Sequence, residues 1–236
     1  MSATGRNETQ RQPSDLYETP EWCVDRFWEA YLKELITLVP DSGLSDFSIH
    51  LAEPCCGSGK IINATERWLV EHDLPRPACW SLHELNEDIA PIGRAMIIGD
   101  FLTSERSDSD VSMVITNPPY SLAEEFLRHS RKLYPHADIA FLLRVGFLTS
   151  EKRTSLFQEL GVPDLYVLPN RPSYVKVGKS STDSCDYAWF VWPATLQAQG
   201  KLVRLEITSE EERGVKRRRT GQLAGPKKRK SREREQ

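Results

Sequence analysis

The chain has little of what marks a secreted, membrane-spanning or metal-dependent protein. Its five cysteines are Cys23, Cys55, Cys56, Cys79 and Cys185. Their number is odd, two are adjacent and none forms a CxxC pair, which argues against a disulfide framework and against a zinc site. No metal is expected, and a reducing cytosol is the natural compartment. No apolar run approaches the ~20 residues of a membrane span. The polar start, MSATGRNETQRQPSD, has no apolar core of a signal peptide. There is no GxGxxG pattern and no Walker lysine-serine pair, so a phosphate-gripping loop is disfavoured. No internal repeat is found.

What is present is 236 residues, enough for one large domain with appendages, with 39% hydrophobic and 28% charged residues. The net charge of −3 divides into +9 over residues 213–236 and −12 over the rest. The expected organisation is a disordered stretch over 1–15, a domain over 16–208 and a basic, disordered tail over 209–236. The tail segment KRRRTGQLAGPKKRK has two basic clusters joined by a flexible linker. It reads as an arm for nucleic-acid phosphate, with a solubilising tail as the alternative.

In TPEWCVDRFWEAYLKELITLVP the apolar residues recur at helical spacing, with Thr19 as a cap and Pro20 in the first turn. Strands are expected at FSIHLAE, CWSLHE, VSMVIT, DIAFLLR, DLYVLP, DYAWFVWP and KLVRLEI. Helices are expected at GKIINATERWLVEH, SLAEEFLRHSRKLY and SEKRTSLFQEL, and a short broken one at NEDIAPIGRAM. Strands alternate with helices and then dominate. This predicts an α/β fold with a doubly wound, mainly parallel sheet and an antiparallel edge strand.

Three motifs fall at the ends of strands. VSMVIT runs into Asn117-Pro118-Pro119-Tyr120, a rigid turn with an amide and an aromatic ring. Two prolines in succession stop any strand or helix, and the carboxyl edge of an open α/β sheet is where ligands bind. LAEPCCGSGK follows the first strand, and Gly57 and Gly59 permit a sharp turn that either serves geometry alone or lets a ligand lie against the backbone. Glu84 ends the second strand, 25 residues past Gly59, where a carboxylate takes ribose hydroxyls in nucleotide-binding folds. Asp100, in IIGDFL, is placed to meet an adenine amine. Each acid alone reads as a solvated strand end; in this order, with the glycine turn, they favour an adenosine-containing cofactor.

With YETP, EPCCGSG, HELN, GDFL and NPPY in this order, the chain resembles the class I, S-adenosylmethionine-dependent amino-methyltransferases, which have a Rossmann-like sheet. Within them it is similar to the DNA N6-adenine methyltransferases of small phage and prophage type. The resemblance covers about residues 16–193 and implies a cytoplasmic enzyme of a bacterial or phage-infected cell. It implies that Tyr17, Thr19 and Pro20 flank the methionine part of the cofactor, and that Glu53, Pro54, Cys56, Gly57 and Gly59 form the floor beneath it. Glu84 would hold the ribose and Asp100 the adenine, while Asn117, Pro118, Pro119 and Tyr120 would hold the target base. Two departures stand out. Glu53 and the Cys-Cys pair replace the commoner Asp-Pro-x-x-Gly start, and little chain follows residue 193 for a target-recognition domain.

The chemistry fits the motif. An exocyclic aromatic amine is a poor nucleophile, and two acceptors aimed at its N–H bonds favour the tetrahedral nitrogen that attacks a sulfonium methyl. Asn117 and the carbonyl of Pro118 are the candidates, fixed by the proline turn. The proton leaves after transfer, so no strong base is needed. Tyr120 supplies a stacking face. RPSY and KVGKSSTD read either as a plain polar loop or as a substrate-side loop with Arg171, Lys176 and Lys179 near phosphates. DNA is the expected partner. RNA adenine, a protein glutamine amide, or a non-catalytic accessory role are the alternatives.

Overall fold

A computed structural model describes residues 18–38, 49–91, 93–105, 110–176, 179–182, 184–194 and 200–214, except the side chains of 35–38, 174–176 and 179–182. The expected disordered start, Tyr17, and the tail beyond Gly214 lie outside the described residues. The expected tail boundary at 209 falls within them: Glu212 pairs with Arg26 of the first helix at 2.7 Å.

The order of elements is α1 (Glu21–Leu38), β1 (His50–Glu53), α2 (Lys60–Glu71), β2 (Cys79–Glu84), β3 (Ile97–Ile98), β4 (Met113–Thr116), α3 (Ala123–Leu133) and β5 (Asp138–Arg144). There follow α4 (Thr154–Leu160), β6 (Asp164–Val167), β7 (Ser173–Lys176), β8 (Lys179–Thr182), β9 (Tyr187–Trp192) and β10 (Leu202–Arg204). Eight strands form one sheet in the order β10-β6-β9-β5-β4-β1-β2-β3, and β7 and β8 form a separate hairpin. The pairs β5–β9 and β6–β9 are antiparallel, and every other neighbouring pair in the large sheet is parallel. The expected antiparallel strand is β9, third from the β10 end, with β6 and β10 outside it.

The central strands β4, β5 and β9 are buried on both faces, which is why they read as nearly continuous apolar runs. Along β5 the side chains alternate. Ala140 and Leu142 join a core with Phe27 and Trp28 of α1 and Trp68 of α2. Ile139, Phe141 and Leu143 join a second core with Phe126 and Leu127 of α3 and Leu156 of α4. Helices on both faces are what "doubly wound" requires. α1 is tied down at its first turn, where the buried Trp189 indole of β9 donates to the Cys23 carbonyl at 2.9 Å.

Two expectations differ from the fold. NEDIAPIGRAM gives a single 3-10 turn, Glu87–Ile89, capped by the Asn86 side chain; Pro91 disfavours helical backbone at Ala90, which is extended. The segment expected as a polar loop contains the β7–β8 hairpin.

Candidate active site

The sheet changes direction between β1 and β4. The chain runs outward one way through β1, β2 and β3 and the other way through β4 and β5. A crevice opens where the two halves part, outside the carboxyl ends of the strands. Here it is a cavity of about 540 Å³, within the usual size of a small-molecule site. Because β1 and β4 are direct neighbours, with Ala52 opposite Val114, Glu53 and Asn117 come to the same crevice from positions far apart in the chain.

One wall is built by the β1–β3 half. After Glu53 the chain turns sharply: Gly57 has φ 50° and Gly59 φ 79°, both left-handed. A Cβ on Gly59 would lie 3.2 Å from the Cβ of Pro91. Glycine is therefore needed there twice, for its backbone and for the close approach. Glu84 holds this turn in shape. Its Oε2 accepts from the Gly57 N–H at 2.7 Å and its Oε1 from the Asn86 N–H at 2.9 Å. Each oxygen retains a second lone pair. Asp100 caps the turn after β3, its Oδ1 accepting from the Leu102 N–H at 2.9 Å.

Glu53 is 1% exposed, and its Oε2 has no hydrogen-bond partner among the described residues. Burial pushes its carboxyl well above the ordinary range, the charge of Glu84 adds to this, and Arg94 opposes it. A buried, unsatisfied carboxyl oxygen demands explanation. Cys56 beside it is pushed up to about 12 by burial and by Glu53 and Glu84, and burial likewise raises Cys55. Both thiols stay protonated at neutral pH and fill space rather than attack.

The other wall is built by β4 and β5. Asn117 follows Thr116, and its Nδ2 donates to Thr19 Oγ1 at 3.1 Å. This bond orients the amide and presents Oδ1 as its acceptor. Thr19 is 4% exposed, so the anchoring end of this tether is buried. Cys55 closes the link between the walls: its thiol lies 3.0 Å from Thr116 Oγ1 and 3.7 Å from the Asn117 carbonyl. Tyr120 opens the 3-10 turn 120–122 and is half-buried against both cores. The guanidinium carbon of Arg144 lies 4.9 Å from the centre of its ring.

Most residues singled out in the sequence line this one cavity: Thr19, Glu53, Pro54, Cys56, Gly57, Glu84 and Asp100, together with the whole Asn117–Tyr120 turn. Pro20 and Gly59 do not line it and act from behind, at the start of α1 and of α2. Arg171 does not line it either and pairs with Asp186 at 2.9 Å. Tyr17 and the side chains of Lys176 and Lys179 lie outside the described residues. Glu18, Lys60 and Arg144 also line the cavity and were not singled out. Arg144 carried a usable signal: it is the one charged residue closing the apolar run IAFLL, at the same carboxyl edge as the other motifs.

No protein-family profile and no curated protein sequence matches the chain. Solved structures do match its fold. A type I restriction-modification methyltransferase subunit from Streptococcus thermophilus superposes with a TM-score of 0.57 at 13% identity, over 85% of this chain and 51% of that one. A Listeria monocytogenes protein described as a class I S-adenosylmethionine-dependent methyltransferase gives 0.54 at 10% identity, over 87% and 70%. The type ISP restriction-modification enzyme LlaBIII, solved bound to DNA, gives 0.55 at 12% identity, over 87% and 21%. The chain thus spans about half of the first and a fifth of the last. Its α/β sheet has the Rossmann-like fold seen in these solved structures.

Proposed function

We propose that this chain transfers a methyl group from S-adenosylmethionine to the exocyclic N6 amine of adenine in DNA. The observation that carries this is the meeting of Asn117-Pro118-Pro119-Tyr120 with Glu53, Glu84 and Asp100 in one cavity at the switch point of the sheet. The cavity suits the cofactor. Three carboxylates, Glu18, Glu84 and Asp100, and the buried carboxyl of Glu53 stand in its lining against the cations Lys60 and Arg144, and the cofactor carries a sulfonium and an ammonium. The buried Glu53 Oε2 wants a donor, and a bound ammonium would supply one. Glu84 takes the ribose on its remaining lone pairs and Asp100 the adenine amine. Tyr17 and Thr19 flank the methionine part, over a floor of Pro54, Cys56 and Gly57, with Pro20 and Gly59 shaping the backbone behind them.

When bound, the cofactor supplies an electrophilic methyl: the amine's lone pair forms the N–C bond, sulfur keeps the C–S pair as a thioether, and one N–H proton then passes to water. The protein's part is preorganisation. Asn117 Oδ1 and the Pro118 carbonyl accept from the two N–H bonds, so the lone pair is freed from the ring, and the Thr19 tether and the proline turn keep both acceptors from moving. Tyr120 stacks on a base taken out of the duplex. The hairpin side, with Arg171, Lys176 and Lys179, and the basic tail run along the phosphates. The DNA-bound enzyme that shares the fold supports DNA as the substrate class.

The test is transfer of labelled methyl from S-adenosylmethionine to DNA, RNA and total protein in parallel. N6-methyladenine in DNA is the expected product. Transfer to RNA or to a glutamine amide alone would move the substrate, and cofactor binding without any transfer would make the chain an accessory protein.

A further inference from the structure

Arg144 has no place in the chemistry above, yet it is where a cation is least expected. It ends β5, whose preceding five residues, Ile139 to Leu143, are at most 1% exposed. A half-buried guanidinium is tolerated only where it is held. Two contacts show what holds it. Its Nε donates to Tyr187 Oη at 3.1 Å, and Tyr187 is fully buried in β9, the antiparallel neighbour of β5. Its guanidinium carbon lies 4.9 Å from the centroid of Tyr120, whose ring is 5.9 Å from that of Tyr187 at a 49° tilt. Arg144 therefore bridges a buried core tyrosine and the aromatic ring of the cavity turn.

We infer that Arg144 is a positioning residue for Tyr120: it fixes the tilt of the ring and covers one face, so that a planar base meets the other. This rests on the functional reading above, and it places Arg144 in substrate engagement rather than in methyl transfer. A cation over a ring is attracted to its electron-rich face, and a ring held at one angle loses less freedom when a base stacks on it. The register supports the assignment. Arg144 lies directly opposite Tyr187 across the β5–β9 pair, so the anchor is set by strand pairing and not by a flexible loop.

The test is a double-mutant cycle. Wild type, Arg144→Met, Tyr120→Ala and the double variant are compared for binding of an adenine-containing duplex oligonucleotide, with S-adenosylhomocysteine present, across a range of salt. Arg144→Met should weaken binding about 2- to 30-fold, the span of a cation–ring contact, and should have no further effect in the Tyr120→Ala background. In turnover, KM for DNA should rise by that factor with kcat changed less than about twofold. The slope of log affinity on log salt should stay unchanged, because no phosphate contact is lost. Arg144→Lys, which keeps the charge without the Nε donor, should recover part of the loss. If Arg144→Met does not fold, Tyr187→Phe removes only the anchoring hydroxyl and should give a smaller loss, again absent beside Tyr120→Ala. Additive losses, or a salt slope shallower by ~0.9, would overturn the inference and make Arg144 a direct substrate contact. Methyl transfer to DNA by the wild type decides the functional reading separately. A coupled binding cycle without transfer would sink that reading alone, and an additive cycle in an active enzyme would sink this inference alone.

Discussion

The two walls of the cavity are made by different means. The β1–β3 wall is backbone held by carboxylates: two left-handed glycines, with Glu84 gripping the N–H groups of Gly57 and Asn86. The β4–β5 wall is a stiff turn braced by distant side chains: Thr19 on Asn117, and Arg144 with Tyr187 on Tyr120. The first kind of wall shapes a recess and collects negative charge, which suits a cationic cofactor. The second aims a few acceptors and one ring, which suits a reaction. A change in one wall should therefore leave the other's function standing, and that separation can be attacked.

The largest effect is expected at Asn117. Asn117→Ala removes one preorganised acceptor and should lower kcat on the order of 10²–10³-fold, while calorimetric affinity for S-adenosylhomocysteine stays near the wild-type value. An equal loss in both would mean that the walls are one unit. On the other side, Glu84→Ala should weaken that affinity by ~1.5–3 kcal/mol, the worth of hydrogen bonds to an ionised group. Its kcat at saturating cofactor should stay within a few-fold of wild type, and unchanged affinity would remove Glu84 from the cofactor.

Smaller effects probe how the first wall is built. Gly59→Ala forces a side chain into φ 79° and against Pro91. A cost of about 1–2 kcal/mol in chemical unfolding is expected, and a neutral result would show that the turn relaxes freely. Glu53→Gln should give the most subtle change. Below the ordinary carboxylate pKa of ~4.3, Glu53 is protonated in both folded and unfolded chains. Above it the unfolded chain releases the proton, whereas burial and Glu84 resist release in the fold. Stability therefore falls as pH rises from that value toward the raised folded one. An amide at this position does not titrate, so E53Q should flatten the dependence of Tm on pH, raise Tm at neutral pH and weaken cofactor binding. Parallel Tm curves for the two proteins would show that Glu53 ionises without penalty.

Much of this was readable in the chain because its signals are local. β2 and β5 occupy the residues expected of them, 79–84 and 138–144; in β5 the signal is the buried apolar run Ile139–Leu143 between two charged ends. The glycines and prolines reveal themselves because few other residues adopt their backbone. What was not readable depends on partners far away. β3 is two residues long, too short for any periodicity. The β7–β8 strands carry Ser, Lys and Thr rather than a buried pattern. Arg144 looks like the polar end of a strand until Tyr187, 43 residues later, is laid beside it.

The sequence alone determined most strands of the large sheet and the helices beside them, where those strands must stop, and the chemical character of three stops: an acid ending β1 and β2, amide and prolines after β4. These follow from backbone sterics and from side-chain polarity over a few residues. Only the tertiary structure decided that the stops share one cavity, that Thr19 orients the Asn117 amide, and that β9 enters between β5 and β6 to put Tyr187 under Arg144. Strand order and register come from burying two apolar faces at once over the whole chain, and no local stretch contains that information.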